Sequence, residues 1–313
     1  MTRPPPALAC ATLLLLGSAG HADEVTLNDL GGYVSPAWHT VEIVVFDRPG
    51  TPDTVDGRPQ AVSAPRRYGR DLLQLQPVDG YQAPVLLDAQ TRDCLEHPPE
   101  PRRAAGARDN AVAAPDSAPS PAAPLPEPDA EELLVAASAR WEESLRASRY
   151  TEAPPESWRL TAAADRLGTQ AGARILAHLR WHQELPPPQR SQPLLIQAGG
   201  NAGELRELEG TVTVGKDDNI LVRATFWLHG PHIGAKPRPL AVSAQGNYGE
   251  SPWEPLSLGN YLALSEARYL LPGEVNYLDH PRLGVLVVVE PVAVPAELAA
   301  LFETAKAARK QQR

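Results

Sequence analysis

Leu283 to Val289 constrains this 313-residue chain more than any other stretch: Leu-Gly-Val-Leu-Val-Val-Val has no polar side chain in it. A Val-rich run of this length, interrupted only by Gly284 and stopped by Glu290-Pro291, predicts a strand buried on both faces. A strand with one wet face would alternate, and this one does not. Each Val or Leu withdrawn from water here is worth about 1.5–3 kcal/mol. The polar groups come just before it, in Glu274-Val275-Asn276-Tyr277-Leu278-Asp279-His280-Pro281. Pro281 holds His280 towards an extended backbone, which places Tyr277, Asp279 and His280 on a strand end or turn.

Other segments must supply partners for that strand. His39 to Phe46, HTVEIVVF, predicts one, with Val41, Ile43 and Val45 on one side and Glu42, Val44 and Phe46 on the other. Arg174 to Gln183 alternates and predicts another, stopped by Pro186-Pro187-Pro188. Leu194 to Gln197 predicts a short strand. Leu208 to Val214 and Ile220 to His229 flank a Gly215-Asp217-Asp218 turn and predict a hairpin. In its second arm Ile220, Val222, Ala224, Phe226 and Leu228 make the apolar face. Tyr261 to Leu271 predicts a further strand that leads through Pro272-Gly273 into Glu274.

Helices are signalled in three places. Asp129 is an N-cap candidate with Glu131 and Glu132 behind it, and Leu133, Ala137, Trp141 and Leu145 recur every four residues. Trp158 to Leu167 predicts a second helix on a Leu160–Ala164–Leu167 stripe, ending near Gly168. Pro295 opens a third, with Arg309 and Lys310 where cations suit a helix C-terminus. The fold expected is α+β: a mainly antiparallel sheet with two or three packed helices. The expected divisions are a signal peptide at 1–22, an N-terminal strand segment at 23–50, an insertion at 51–128, the amphipathic helix at 129–150 and the main domain at 156–313. The insertion is read as loop-rich and, over His97 to Pro128, as Pro/Ala-rich disordered linker without enough large apolar residues to offset its ordering entropy.

Compartment and partners follow from the first residues and the charge. Arg3, the apolar run Ala7 to Leu16 and Gly20-His21-Ala22 read as an export signal cleaved after Ala22. Later segments offer no membrane span, so a soluble mature protein is expected. Cleavage removes one cation, Arg3, and no acid, so a formal net charge of −9 becomes −10. An acidic surface argues against nucleic acid and against anionic lipid. Cys94 would be the single mature cysteine, which leaves no internal disulfide.

Few residues carry chemistry. His178 and His182 lie on a predicted strand, about 13 Å apart at roughly 3.3 Å per residue, too far to share a metal. They read as hydrogen-bonded imidazoles on a polar strand face. Asp279 and His280 are adjacent on an extended chain and point apart, so they do not form half a triad. They read as a corner that binds backbone groups or a polar ligand. No nucleophile elbow, phosphate-cradling loop or metal set is present, and no catalytic residue, metal or cofactor is expected. Trp181 with Arg180 and Gln183, and Trp227 with Arg223 and His229, are of another kind. Aromatic rings stack on sugars, and arginine grips carboxylates bidentately.

Four blocks together resemble the CsiV-like family of periplasmic peptidoglycan-binding proteins. They are Val41-Glu42-Ile43-Val44-Val45-Phe46, Arg174-Ile175-Leu176-x-His178-x-x-Trp181-x-Gln183, Leu208-x-Gly210-x-Val212, and Glu274-x-x-Tyr277-Leu278-Asp279-His280-Pro281 with Gly284-Val285-Leu286-Val287. They cover about a third of the chain, and Thr51 to Pro155 carries none of them. Asn219-Ile220-Leu221 and Asn276 stand where the family shows histidine-containing runs. The resemblance implies a non-enzymatic periplasmic protein that binds peptidoglycan. It also implies help to an outer-membrane lipoprotein that activates a bifunctional penicillin-binding protein. The ligand surface expected is Trp181, Gln183, Arg223, Trp227, Tyr277, Asp279 and His280, with Trp181, Gln183, Tyr277, Asp279 and His280 close together. An envelope scaffold that binds only proteins, or a cell-envelope hydrolase, are the alternatives.

Overall fold

The computed structural model describes residues 25–49, 65–67, 72–81, 129–202, 205–229, 254–255 and 261–311. The expected signal peptide, Cys94 and the Pro/Ala-rich stretch from His97 to Pro128 lie outside them. Strand β1 (Trp38–Asp47) sits between β11 (Leu283–Pro291) and β4 (Arg174–Glu184), and β10 (Asn276–Asp279) pairs with the other edge of β11. All three pairings of this four-stranded sheet are antiparallel. A five-stranded sheet follows the order β3 (Leu73–Gln74), β5 (Leu194–Ala202), β6 (Leu205–Lys216), β7 (Ile220–His229), β9 (Tyr261–Leu270). Only β3 runs parallel to its neighbour. Two short strands, β2 (Pro65–Arg67) and β8 (Glu254–Pro255), pair with each other.

One apolar core joins the inner faces of the two large sheets. Val41, Ile43, Val45, Val285, Val287 and Val289 come from the first; Leu208, Val212, Val222, Ala224, Phe226 and Leu264 come from the second. The Leu283–Val289 run is buried on both faces, because its outer residues Leu286 and Val288 lie under a second cluster. That cluster is roofed by helix α2 (Thr161–Gln170) through Leu160, Ala164 and Leu167. The expected stripe is correct, but the helix starts three residues later than Trp158 and runs past Gly168 to Gln170. Its terminator is Gly172, at a φ of +62° that favours glycine. Gly284 is dictated by contact: a Cβ there would lie 2.4 Å from the Phe46 ring.

Helix α1 (Ala130–Ala147) begins as expected at Asp129, whose side chain accepts from Glu132 N–H while the Glu132 side chain reaches back to Asp129 N–H. Helix α3 (Ala296–Gln311) packs on it around Trp38, Trp141, Leu298 and Leu301, a satellite core with Leu27, Leu30 and Val34. Part of the 51–128 segment is described. Leu73 and Leu75 pack on the main core, and Gln76 bridges Thr151. Among the described residues no helix is long and apolar enough to cross a membrane.

Candidate functional site

Strand parity decides where each expected ligand residue goes, and it removes several. Trp181 and Gln183 point inward on β4. Trp181 is fully buried, its indole N–H donates to Gln183 Oε1 at 2.8 Å, and Gln183 is buried with it. Neither ring nor amide has surface to offer a sugar. A bulge opposite Val45/Phe46 places both Leu176 and Ala177 in the core and turns Ile175 to the outer cluster. Tyr277 lies on the opposite face of the same sheet, stacked on Phe46 with centroids 6.1 Å apart. Two strands separate it from β4, roughly 14 Å at 4.8 Å per spacing. The expected grouping of Trp181 and Gln183 with Tyr277, Asp279 and His280 is therefore corrected: the pleat and the strand order keep them apart.

Tyr277, Asp279 and His280 do form a corner. Asp279 Oδ1 accepts from the Tyr277 hydroxyl at 2.6 Å and from Arg48 at 2.8 Å. Burial pushes the Asp279 carboxyl up, but those two donors outweigh it and hold it below its ordinary range. The Tyr277 phenol is raised by burial and by the Asp279 bond. His280 is buried, and its Nδ1 faces the backbone N–H groups of Arg282 and Leu283 at 3.3 and 3.2 Å. Through Nδ1 the imidazole braces the turn. The free edge of β10 is closed by side chains from β9: Arg268 donates to Tyr277 O at 2.7 Å, and Glu266 accepts from Asp279 N–H at 3.0 Å. Behind it, Asp47 is buried between Arg174 at 3.2 Å and Arg282 at 2.8 Å. The corner matches the expectation of side chains that bind backbone groups.

Glu42 carries no signal in the sequence that marks it as a hub. Fully buried on the outer side of β1, it accepts from His178 (2.8 Å), Arg180 (2.7 Å), Arg159 N–H (2.9 Å) and Leu160 N–H (2.6 Å). Burial pushes its carboxyl up, yet these bonds win and bring it down to about 2. The last two bonds fasten the start of α2 to the sheet. His178 packs against Trp158 with ring centroids 4.1 Å apart and planes tilted by 40°, and His182 lies 3.0 Å from Thr40 Oγ1. Both are engaged imidazoles on a polar strand face, as expected. Among the described residues no group of three His, Cys, Asp or Glu side chains could hold a metal ion.

The five-stranded sheet treats its outer face differently. Trp227 is buried there, so the expected sugar-stacking indole is corrected; His229 Nε2 lies 3.9 Å from Glu209 Oε2 beside it. Arg223 is exposed, four residues before Trp227 on the same face. Tyr269 projects from the neighbouring strand β9 with 68% of its surface exposed. The alternation of Leu262, Leu264 and Leu270 inward against Ser265, Ala267 and Tyr269 outward is a sequence signal that could have singled it out.

These features define a two-sheet α+β protein whose polar side chains brace turns and sheet edges and whose Arg223 and Tyr269 sit on the exposed part of a sheet face that is buried around Trp227 and His229. The chain belongs to the CsiV family: the family model described as "Peptidoglycan-binding protein, CsiV" matches residues 7–292. That match spans 51–155, which the four sequence blocks did not reach. Comparison with curated proteins gives no match, and comparison with solved structures gives none.

Proposed function

We propose that this chain binds peptidoglycan in the periplasm and acts without catalysis. The observation that carries the reading is the family match over residues 7–292. The apolar leader ending at Ala22 supports export. The engagement of His280 with backbone and of Asp279 with Arg48 supports a structural rather than a catalytic role for the motif. Through peptidoglycan the protein would help regulate cell-wall synthesis, by way of an outer-membrane lipoprotein that activates a bifunctional penicillin-binding protein. Co-sedimentation of residues 23–313 with purified sacculi tests the first step. Pelleting that survives moderate salt is expected; pelleting abolished by salt, or none, overturns it. Crosslinking in cells tests the second step, with a lipoprotein and a penicillin-binding protein expected among the products.

A further inference from the structure

We infer that the outer face of the five-stranded sheet around Tyr269 and Arg223 is the platform on which a peptidoglycan strand lies. One pyranose ring stacks on Tyr269, and a stem-peptide carboxylate pairs with Arg223. The inference rests on the peptidoglycan reading and assigns it a place. Register fixes the geometry. Tyr269 stands opposite Leu221, and Arg223 stands opposite Ala267, so Tyr269 and Arg223 are diagonal neighbours on one face, about 7–8 Å apart at their Cα atoms. Leu221, buried, closes one corner of the square these four residues make, and the other residues beside them are small. Ala267 and Ser265 are exposed along β9, and Thr225 Oγ1 lies 3.2 Å from Ser265 Oγ. The result is a shallow strip with a ring at one end, a guanidinium at its side and hydroxyls on its floor.

Charge points to an anionic occupant. The protein carries a formal net charge of −9, so a polymer bearing carboxylates needs a local cation not already used. Arg159, Arg180 and Arg282 are each held by a carboxylate within 3.1 Å or less. Arg223 pairs with no carboxylate among the described residues, and the residues directly opposite it, Thr213 and Ala267, are uncharged. The acids along this hairpin are Asp217 and Asp218 in its turn and, towards its far end, the buried Glu209 and Glu207, which is held by Arg174. Arginine offers a carboxylate two parallel hydrogen bonds. The phenol ring offers the C–H face of a sugar apolar area that is otherwise left in water.

The test uses residues 23–313 with two probes: intact sacculi, and chitin, a β-1,4-linked N-acetylglucosamine polymer that has the pyranose rings but no carboxylate. Tyr269→Ala should weaken binding to both by about tenfold, as loss of an aromatic anchor does, and Tyr269→Trp should restore it. Arg223→Ala should weaken binding to intact sacculi by about tenfold while changing binding to chitin less than about twofold. Asp279→Asn, at the corner, should bind as the wild type does. If the wild type binds sacculi and both alanine variants, confirmed folded by their unfolding midpoints, bind equally well, the platform is overturned and the peptidoglycan reading stands. If Arg223→Ala weakens both probes alike, the assignment of a peptide carboxylate is overturned. If the wild type binds neither probe, the peptidoglycan reading and the platform fail together.

Discussion

Arg180 and Arg223 hold comparable places on the two sheets. Each points away from the shared core, and each has apolar, inward-facing neighbours in its strand. Arg180 is only 14% exposed and is bound by Glu42 at 2.7 Å and Glu290 at 3.1 Å. Arg223 is exposed and carries no such pair among the described residues. The difference comes from what lies above them. The first sheet receives α2 and its leading segment, and a covered charge must be neutralised on the spot, because an unpaired one loses its hydration for nothing. The face around Arg223 is wet, and water satisfies it at no structural cost. A charge that is fully paired holds the fold. A charge left in solvent is available to something else.

Breaking the covered network should have the largest effect. Glu42→Ala removes the acceptor for His178, Arg180 and two backbone N–H groups at the start of α2. Removing one partner of a buried network costs about 3–5 kcal/mol, read from the denaturant midpoint. Sacculus binding by the protein that remains folded should be unchanged. His280→Ala should come next. It strips the buried N–H groups of Arg282 and Leu283 of their acceptor, at about 2 kcal/mol. It too should spare binding; a loss of binding with an unchanged midpoint would return the motif to the ligand surface and collapse the comparison.

Acid should act through buried imidazoles on both sheets, since burial lowers His229 on the five-stranded sheet as well. His182 is brought down to about 4 by burial and then by Arg180, and His39 is lowered by burial. Unfolded, each titrates near 6.5, so between about 6.5 and 4 the unfolded chain binds more protons. Stability should therefore fall as pH drops through that window. Glu42 contributes nothing to this slope near pH 6: its stabilisation is lost only as pH falls from about 4.5 towards 2. Melting temperature against pH should show the first decline, and His182→Gln should flatten part of it. A slope that survives in a double variant at His39 and His182 would mean that other groups carry it.

Much of this division is legible in the amino-acid order itself. The periods of two and of roughly four residues place nearly every strand, the three helices and the Ile220–Leu228 core face, because burial on a regular element forces a regular pattern. Asp129 is legible as a cap for the same reason. What is not legible depends on contacts across 100 residues or more. Glu42 reads as one acid in an apolar strand until His178, Arg180 and Arg159 are seen to converge on it. Trp181 and Trp227 share their composition with sugar-binding strands, and only the identity of the covering layers decides whether an indole is core or platform. The motif around Tyr277 is the most specific block in the sequence, and its specificity proves to be that of a corner braced by Arg48, Arg268 and Glu266.

The smallest effect on stability is the one that sharpens the comparison most. Arg223→Ala and Tyr269→Ala remove side chains with no described partner to lose, and each should move the unfolding free energy by less than about 0.5 kcal/mol. Arg180→Ala, the same chemical change on the other sheet, strands Glu42 in a covered site and should cost several times as much. The pair is informative because propensity, strand position and charge are matched, so only the environment differs. Equal costs would mean that the face around Arg223 is covered in solution. Unequal costs, with the loss of stability at Arg180 and the loss of binding at Arg223, would place folding and recognition on separate sheets of one core.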